Sequence, residues 1–491
     1  MRAKTLKWLK RLGLVLGASL VTLLAVRAWD ATRGPSLRLW HTYVPADVKA
    51  KQLAKMDWPA YLEAETKLFA AVRANVTDKL PPEDRFPANR YYAGSPIYPG
   101  GFTNDWNRSY ILLPAGAPRG AVVLLHGLTD TPYSLRHVAR VYQGRGFVAV
   151  GPRLPAHGTV PAALTTVDWE DWVAATRLAV REARRHLQPG QPLHLVGFSN
   201  GGALAMQHAL DALDDPELGR PDRVVLVSPM IGITAFARFA GVLGWPAVFP
   251  AFANAAWLGI VPEFNPFKYN SFPVNAARQS CLFTRSLQRQ IDRAARTGRL
   301  RELPPILTFQ SVADFTVSTR AIITGLYDQL PDNGSELVLI DVNRSARVSP
   351  LLRANMETAL DRLLPPPPRA YRVTVIGNAG PDNPEVVRRV TEAGATAETI
   401  FPLGIVYPPD IFSMSHVSIP FPVTDALYGM QPGNDEFFGV NLGTISVRGE
   451  VGLLIVNLDS LVRVSSNPFF PYMLQRIEEG IPAVPARTAA R

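Results

Sequence analysis

The sequence predicts an α/β protein whose mostly parallel β-sheet is covered by helices on both faces. Short runs rich in Val, Leu and Ile alternate with segments of helical length, as expected for parallel strands that are buried on both sides. Each run is too short to be a buried helix. The composition, with 47% hydrophobic and 19% charged residues over 491 positions, allows a large core.

The alternating pattern begins near residue 120. The predicted strands are residues 120–127, 147–154, 193–199, 223–229 and 305–312. The predicted helices between and after them are residues 133–143, 169–186, 201–213 and 317–330. Residues 31–104 precede the pattern as an N-terminal extension that contains a helix near residues 61–76.

Two long segments interrupt the alternation and leave a first part, residues 105–230, and a second part, residues 304–491. Residues 231–303 separate the fourth and fifth predicted strands, and ten of the 42 residues 231–272 are Phe, Trp or Tyr. Residues 335–410 contain three further apolar runs. We interpret these runs as strands that are joined by helices and that extend one edge of the sheet.

Residues 1–30 are typical of a membrane anchor or an export signal. A basic lead precedes residues 12–26, which are uncharged and mostly apolar. This run is shorter than the roughly 20 residues of a full span, and small residues would suit cleavage after Ala28. Arg27 lies inside that cleavage site, however, and Lys10 and Arg27 can extend from the ends of a short anchor. We favour the anchor, which predicts a membrane-anchored or periplasmic protein.

The net charge of +10 does not indicate a nucleic-acid partner, because the arginines are spread along the chain and interleaved with acids. The lone cysteine, Cys281, excludes an intramolecular disulfide and is expected to fill an apolar site. The sequence contains neither Cys and His residues at metal-binding spacing nor a phosphate-binding glycine loop. We therefore expect neither a metal nor another cofactor.

A candidate nucleophile lies in the segment "LHLVGFSNGGALAMQHAL". Gly197, Ser199 and Gly201 form a G-x-S-x-G motif between a predicted strand and a predicted helix. In hydrolases with this motif, the serine sits on a strained strand-to-helix turn and the glycines remove side chains that would crowd it. The context predicts that Ser199 is a catalytic nucleophile.

A serine nucleophile needs a base and an acid that orients the base. Only His208 and His416 follow Ser199, and His208 lies too far along the nucleophile's own helix to return to it. His416 is therefore the predicted base. Asp314 ends a predicted strand and is the predicted acid, while Asp341, which ends a later apolar run, is the alternative.

The segment "LLHGLTDTP" follows the first strand of the predicted core and supplies a candidate oxyanion hole. The backbone N–H groups of Leu128 and Asn200 are the predicted donors, so that the identities of their side chains matter little. We expect His126 to brace this loop rather than to react.

These segments resemble the α/β-hydrolases, and within them the bacterial carboxylesterases and monoacylglycerol lipases of the serine lysophospholipase-like branch. The matching pieces are "LLHGLTDTPYSLR", "GPRLPAHGT", "GFSNGG", "LVSPMIGI" and "SVADFTVSTRAI". The resemblance covers roughly residues 105–330 and the neighbourhood of His416. It implies the α/β-hydrolase fold with a helical cap, or lid, over the site at residues 231–303, and it assigns the oxyanion donors to Leu128 and Asn200.

The leading hypothesis is a serine ester hydrolase that acts on a small-molecule ester or lipid, such as a monoacylglycerol, through an acyl-enzyme. One alternative is an aminopeptidase or amidase on the same scaffold, which would need an acidic site for the substrate amine. Residues 231–290 contain only one acid, Glu263. The other alternative is a membrane-tethered binding protein whose catalytic residues are idle.

Overall fold

The computed structural model describes residues 2–232, 247, 250–345, 359–445 and 458–482. Ten of the described strands form one sheet in the order β1-β3-β2-β4-β5-β8-β9-β10-β11-β12, and β6 pairs with β7 in a separate hairpin. The strands are β1 (Tyr110–Leu112), β2 (Gly120–Leu125), β3 (Phe147–Gly151), β4 (Leu193–Phe198), β5 (Arg223–Val227), β6 (Trp257–Gly259), β7 (Phe272–Pro273), β8 (Ile306–Ser311), β9 (Glu336–Ile340), β10 (Arg372–Gly380), β11 (Asn383–Thr391) and β12 (Glu398–Val406).

The sheet is parallel from β3 across to β10 and antiparallel at both edges. The central strands β2, β4 and β8 are buried along their whole length, as parallel strands between two helical layers must be. The carboxyl ends of these strands meet at one edge, which is where loops can assemble a site in an open α/β sheet.

The described residues form twelve α-helices, several of which cover the two faces of the sheet. They are α1 (Arg2–Arg33), α2 (Leu39–Thr42), α3 (Ala50–Leu53), α4 (Trp58–Asn75), α5 (Arg136–Gly144), α6 (Trp169–Arg185), α7 (Asn200–Asp214), α8 (Val274–Arg296), α9 (Thr319–Gly325), α10 (Ala359–Leu363), α11 (Leu458–Val462) and α12 (Phe470–Glu478). On one face, Trp172 of α6 and Leu204 of α7 pack in the same apolar cluster as Val123 of β2. On the other face, Val138 of α5 and Met473 of α12 pack with Val122. The predicted fold class is confirmed.

The segment between β5 and β8, predicted as a cap, is described in part. Residues 233–246, 248 and 249, which carry part of its aromatic excess, lie outside the described residues. The described part contains the β6/β7 hairpin and the long helix α8. Phe283 and Leu287 of α8 belong to the same apolar cluster as α6 and α7, so this helix contributes to the main core. Cys281, on the same helix, is a buried free thiol.

The insertion at residues 335–410 extends the sheet edge, but one of its predicted connections is wrong. Residues 383–391 form β11, which pairs antiparallel with β10, rather than a helix. Val386 and Val390 of β11 are buried, and the hairpin pairing aligns Val387 with Gly377. β-branched valines fit a pleated surface well, so the segment forms a strand instead of the predicted helix.

The N-terminal extension is packed into the main core. Tyr61 of α4 is fully buried in the cluster that includes α6 and α7. The guanidinium of Arg153, which follows β3, is fully buried and forms ion pairs with Asp47 at 2.8 Å and Glu65 at 3.1 Å. The extension therefore neutralises a buried cation of the sheet domain.

Helix α1 differs from the other helices because almost all of its described apolar side chains are exposed. Its segment Lys10–Arg33 is long and apolar enough to cross a membrane, a property that a signal sequence near an N-terminus also has. The last turns of α1 contact the segment Pro250–Ala256 and the carbonyl of Trp257, which accepts a hydrogen bond from Arg27.

Candidate active site

Ser199 occupies a strained turn between β4 and α7. Its φ of 54° and ψ of −113° lie outside the regions that residues with a side chain normally adopt. The turn is held from both sides, because the N–H of Ser199 donates to Val227 O at 2.9 Å and the N–H of Met230 donates to Ser199 O at 2.9 Å. The side chain is thus presented at the carboxyl edge of the sheet.

The two glycines of the motif are required by close backbone approach. A Cβ atom at Gly197 would overlap the backbone of Gly201, and a Cβ atom at Gly201 would overlap the backbone carbonyl of Leu125. Only glycine lets α7 begin so close to the ends of β2 and β4. This packing fixes the position of Ser199 relative to the loop that follows β2.

Three of the predicted site residues meet through hydrogen bonds although they are far apart in the chain. The Ser199 hydroxyl lies 2.9 Å from His416 Nε2, and His416 Nδ1 lies 2.8 Å from Asp314 Oδ2. An ionised carboxylate only accepts hydrogen bonds, so Nδ1 carries the proton and Nε2 accepts from the hydroxyl. This tautomer leaves Nε2 free to take a proton from Ser199.

Asp314 follows β8 and is held by its own loop. Its Oδ1 accepts from the N–H groups of Thr316 at 2.8 Å and Val317 at 3.0 Å, and Gln310 donates to Oδ2 at 3.2 Å. Burial alone would raise the pKa of Asp314, but the neighbouring His416 and these hydrogen bonds outweigh burial and lower it. The carboxylate therefore stays ionised beside the imidazole.

The two alternatives that the sequence offered have other partners. The carboxylate of Asp341 forms a 2.6 Å ion pair with Arg344 and accepts from the N–H of Val342. His208 is buried on α7 and hydrogen-bonds Gly219 O at 3.1 Å. Neither side chain forms a hydrogen bond or an ion pair with Ser199 or His416.

The loop after β2 lies directly against the nucleophile. A Cβ atom at Gly127 would lie 3.3 Å from Ser199 Cβ. The N–H of Asp130 closes a turn onto Gly127 O at 3.3 Å, and Thr129 adopts a φ of 61°. Leu128 stands inside this turn, and its N–H takes no part in the bond that closes it.

The second predicted donor, Asn200, is the first residue of α7, where helix N–H groups have no intrahelical acceptor. Its side chain is fully buried, and neither amide atom has a hydrogen-bond partner among the described residues. The N-terminal end of α7 carries partial positive charge, which favours an oxyanion at this position.

His126 is placed to brace this loop. Its Nε2 accepts from the N–H of Leu154 at 3.0 Å, so Nδ1 donates to Gly127 O at 2.9 Å. Burial, assisted by the neighbouring His157, lowers the pKa of His126 well below its ordinary value and keeps the ring neutral. The ring joins the loop after β2 to the loop after β3.

Comparison with known proteins shows which family this region is similar to. Residues 116–342 match the Hydrolase_4 family model, which is described as serine aminopeptidase, S33. The match includes β2, Ser199 and Asp314, and the sheet around these residues has the mostly parallel order described above. Residues 116–342 are therefore similar to the α/β-hydrolases, and we refer to this region as the hydrolase domain.

Individual relatives of the hydrolase domain are similar over shorter stretches or at lower identity. A thermostable monoacylglycerol lipase from Bacillus sp. (strain H-257) is 37% identical over 86 residues, which is 17% of this chain and 33% of that lipase. This match thus spans only a third of the curated relative.

Solved structures similar to the hydrolase domain include a metagenome-derived lipolytic enzyme, with 22% identity and a TM-score of 0.39 over 48% of this chain and 88% of that one. Another is a Paleococcus ferrophilus monoacylglycerol lipase, with 18% identity and a TM-score of 0.34 over 45% and 83% of the two chains.

A cavity of about 370 Å³ opens beside Ser199 in the hydrolase domain. It is lined by apolar groups, which include Met230, Tyr269 and Phe272, and by two cations, Lys268 and Arg463. None of its described lining residues is Asp or Glu. The volume suits a small or medium organic ligand.

Sequence reasoning missed both cations. Arg463 lies 47 positions after His416, in a stretch without a recognisable motif, and Lys268 lies in a segment where the aromatic residues dominate the pattern. The scarcity of acids in residues 231–290 was the one available signal of the charge in this cavity. It indicated that negative charge is absent, but not that positive charge is present. Within the described ranges, no cluster of three or more His, Cys, Asp and Glu side chains could hold a metal ion.

Proposed function

We propose that the protein is a serine hydrolase of carboxylic esters in which Ser199 forms an acyl-enzyme. The observation that carries the proposal is the hydrogen-bonded series Ser199, His416 and Asp314 at 2.9 and 2.8 Å, beside a cavity of about 370 Å³. The lipase-like relative and the Hydrolase_4 match support the same reaction class.

In this proposal, His416 Nε2 takes the Ser199 proton as the hydroxyl oxygen attacks the ester carbonyl. Asp314 accepts the Nδ1 proton in a hydrogen bond and stabilises the imidazolium that forms. The N–H groups of Leu128 and Asn200 bind the oxyanion of the tetrahedral intermediate. His416 then protonates the leaving alcohol, and the same steps with water release the acid.

The substrate in this proposal is an ester with an apolar acyl chain, of the kind that acylglycerols contain. Met230 and Phe272 offer apolar surface beside Ser199. His416 also lines a second cavity of about 550 Å³, together with Phe412, Met414 and Val462. Two apolar spaces that share His416 can separate the acyl chain from the alcohol.

The matched family's description raises the alternative of an aminopeptidase. An aminopeptidase holds a protonated substrate amine and needs acidic or carbonyl partners for it. The cavity beside Ser199 instead presents Lys268 and Arg463, which would repel an ammonium group. Glu263, the one acid of residues 231–290, is buried and accepts hydrogen bonds from the backbone of Asn270 and Ser271. These observations favour the esterase.

The test is a comparison of p-nitrophenyl esters of increasing acyl length with aminoacyl p-nitroanilides, with a Ser199→Ala variant as the control. We expect ester hydrolysis that the variant loses and no release of p-nitroaniline from the amides. Faster cleavage of the amides would favour the aminopeptidase. Ester hydrolysis that survives in Ser199→Ala, or none in the natural protein, would reject the proposal.

We also propose that α1 anchors the protein in a membrane. The exposed apolar side chains of Leu14, Leu16 and Val21 support this role. Because the end of α1 contacts the segment around Trp257, the anchor would hold the cap side of the hydrolase domain near the lipid surface. N-terminal sequencing of the exported protein tests the proposal: a mature chain that begins at residue 29 would contradict it.

A further inference from the structure

The charges around the Ser199 cavity are unbalanced. Lys268 and Arg463 line the cavity, and no described lining residue is acidic. Residues 233–246, 248 and 249, which belong to the segment between β5 and β8, contain no Asp or Glu. This part of the segment therefore has no acidic side chain that could balance the two cations. Glu263 faces backbone N–H groups of its own loop and is not among the lining residues.

Lys268 reaches the cavity from the segment between β6 and β7. Its ammonium donates to Thr129 Oγ1 at 2.9 Å, one residue after the predicted oxyanion donor Leu128, and forms no ion pair with a described carboxylate. Burial lowers the pKa of Lys268, and the nearby Asp130 offsets this only in part. An anionic ligand would stabilise this ammonium, because the ammonium has N–H donors beside the nucleophile that are not used in a hydrogen bond.

Arg463 reaches the same cavity from the segment after α11. Its guanidinium donates to Thr316 Oγ1 at 2.7 Å and has no ion-pair partner among the residues that the structure describes. Asp459 lines a neighbouring cavity of about 460 Å³ together with both cations. Asp459 in this neighbouring cavity and Asp130 near Lys268 are thus carboxylates close to the two cations, and neither forms an ion pair with Lys268 or Arg463.

We propose that the ester substrate carries an anionic oxygen group, either a carboxylate or a phosphate, that binds Lys268 and Arg463 while the ester carbonyl lies at Ser199. This inference rests on the proposed esterase function and specifies its substrate class. Arginine and lysine bind such groups by charge-assisted hydrogen bonds, and Arg463 can do so with two parallel N–H groups. A neutral acylglycerol would leave both cations without an ion-pair partner among the described residues.

The experiment compares matched substrates by the ratio of their kcat/KM values. For the carboxylate arm, mono-p-nitrophenyl glutarate is compared with p-nitrophenyl pentanoate, which has the same acyl length. For the phosphate arm, 1-oleoyl lysophosphatidic acid is compared with 1-oleoylglycerol. We expect the natural protein to prefer the anionic member of at least one pair by about tenfold, since a charge-assisted hydrogen bond contributes at least this factor. The arm that shows the preference identifies the anion.

Substitutions of Lys268 and Arg463 test whether these two residues cause the preference for the anionic substrate. Lys268→Met and Arg463→Gln should each lower the ratio about fivefold to tenfold, while Lys268→Arg and Arg463→Lys should restore most of it. Any disturbance of the Thr129 loop by the lysine substitution lowers kcat/KM for both substrates alike, so it cancels in the ratio. Lys55→Met, which removes an exposed lysine from the N-terminal extension, is the matched control and should leave the ratio unchanged.

A ratio near one in both arms, with neutral esters hydrolysed in a Ser199-dependent manner, would overturn this inference and leave the esterase proposal intact. An equal loss of preference in the Lys55→Met control would overturn it too, because long-range attraction would then explain the preference. The absence of any hydrolysis that depends on Ser199 would overturn both proposals.

Discussion

At the residue scale, the choice of Asp314 over Asp341 is the sharpest prediction about the site. Replacement of Asp314 by Asn would favour the wrong His416 tautomer and should reduce kcat on the order of 10⁴-fold. Asp341→Asn removes a carboxylate that is bound to Arg344 and not to His416, so hydrolysis should persist. Steady-state kinetics on a p-nitrophenyl ester, with circular dichroism to check folding, decide between them. Loss of activity only in Asp341→Asn would refute the assignment.

The residues of the site differed in how far sequence could predict them. Ser199 and its glycines lie within five positions, and close packing between β4 and α7 makes their pattern local. Asp314 and His416 could be nominated because the chemistry needs an acid and a base, although their catalytic roles remain predictions. Lys268 and Arg463 left no such signal, because they meet only through tertiary packing.

At the element scale, Asp425 joins the C-terminal part of the chain, which carries His416, to α5. Its buried carboxylate accepts from Arg136 at 2.8 Å, His137 at 2.9 Å and the Tyr133 hydroxyl at 2.9 Å. Asp425→Asn would leave the buried Arg136 with less compensating charge and should lower the free energy of unfolding by about 3–5 kcal/mol. Asp435→Asn, at an exposed position ten residues later, should change the free energy of unfolding by less than about 0.5 kcal/mol. Urea denaturation measures both, and equal effects would contradict this role.

The same group predicts a pH dependence of stability. Burial by itself raises the pKa of Asp425, but Arg136 and His137 lower it well below the ordinary value of a carboxyl group. As the pH falls below about 4, the unfolded chain therefore takes up a proton that the folded chain does not, and stability decreases. The loss of stability between about pH 5 and pH 2 should be smaller in Asp425→Asn than in the natural protein. Parallel losses in the two proteins would show that Asp425 is not responsible.

Elements were predictable where one signal dominated. The buried strands β2, β4, β5 and β8 are continuous apolar runs, and the structure has them close to the predicted positions. β11 was missed because exposed Asn383 and Glu385 and half-buried Arg388 and Arg389 interrupt its valines and obscure the strand signal. The division into core, cap and insertion stays a prediction, although α8 already shows that part of the proposed cap packs with the core.

At the scale of the whole molecule, the N-terminal extension and α1 should respond differently to deletion. Removal of residues 2–33 takes away mostly exposed side chains, so the protein should stay folded, hydrolyse soluble esters and leave the membrane fraction. Removal of residues 2–104 also takes away Asp47, Glu65 and the buried Tyr61, and should yield insoluble protein because Arg153 would be buried without a counter-charge. Fractionation and an ester assay test both deletions. A soluble, active product of the longer deletion would contradict the integral role of the extension.

The central claim is that His416 activates Ser199 as a nucleophile. The most direct measurement is the reaction of the purified protein with a fluorophosphonate, followed by peptide mapping of the adduct by mass spectrometry. We predict one adduct, on Ser199, that forms rapidly in the natural protein and on the order of 10³-fold more slowly or not at all in His416→Ala. Labelling of another residue, no labelling, or equally fast labelling of both proteins would contradict the claim.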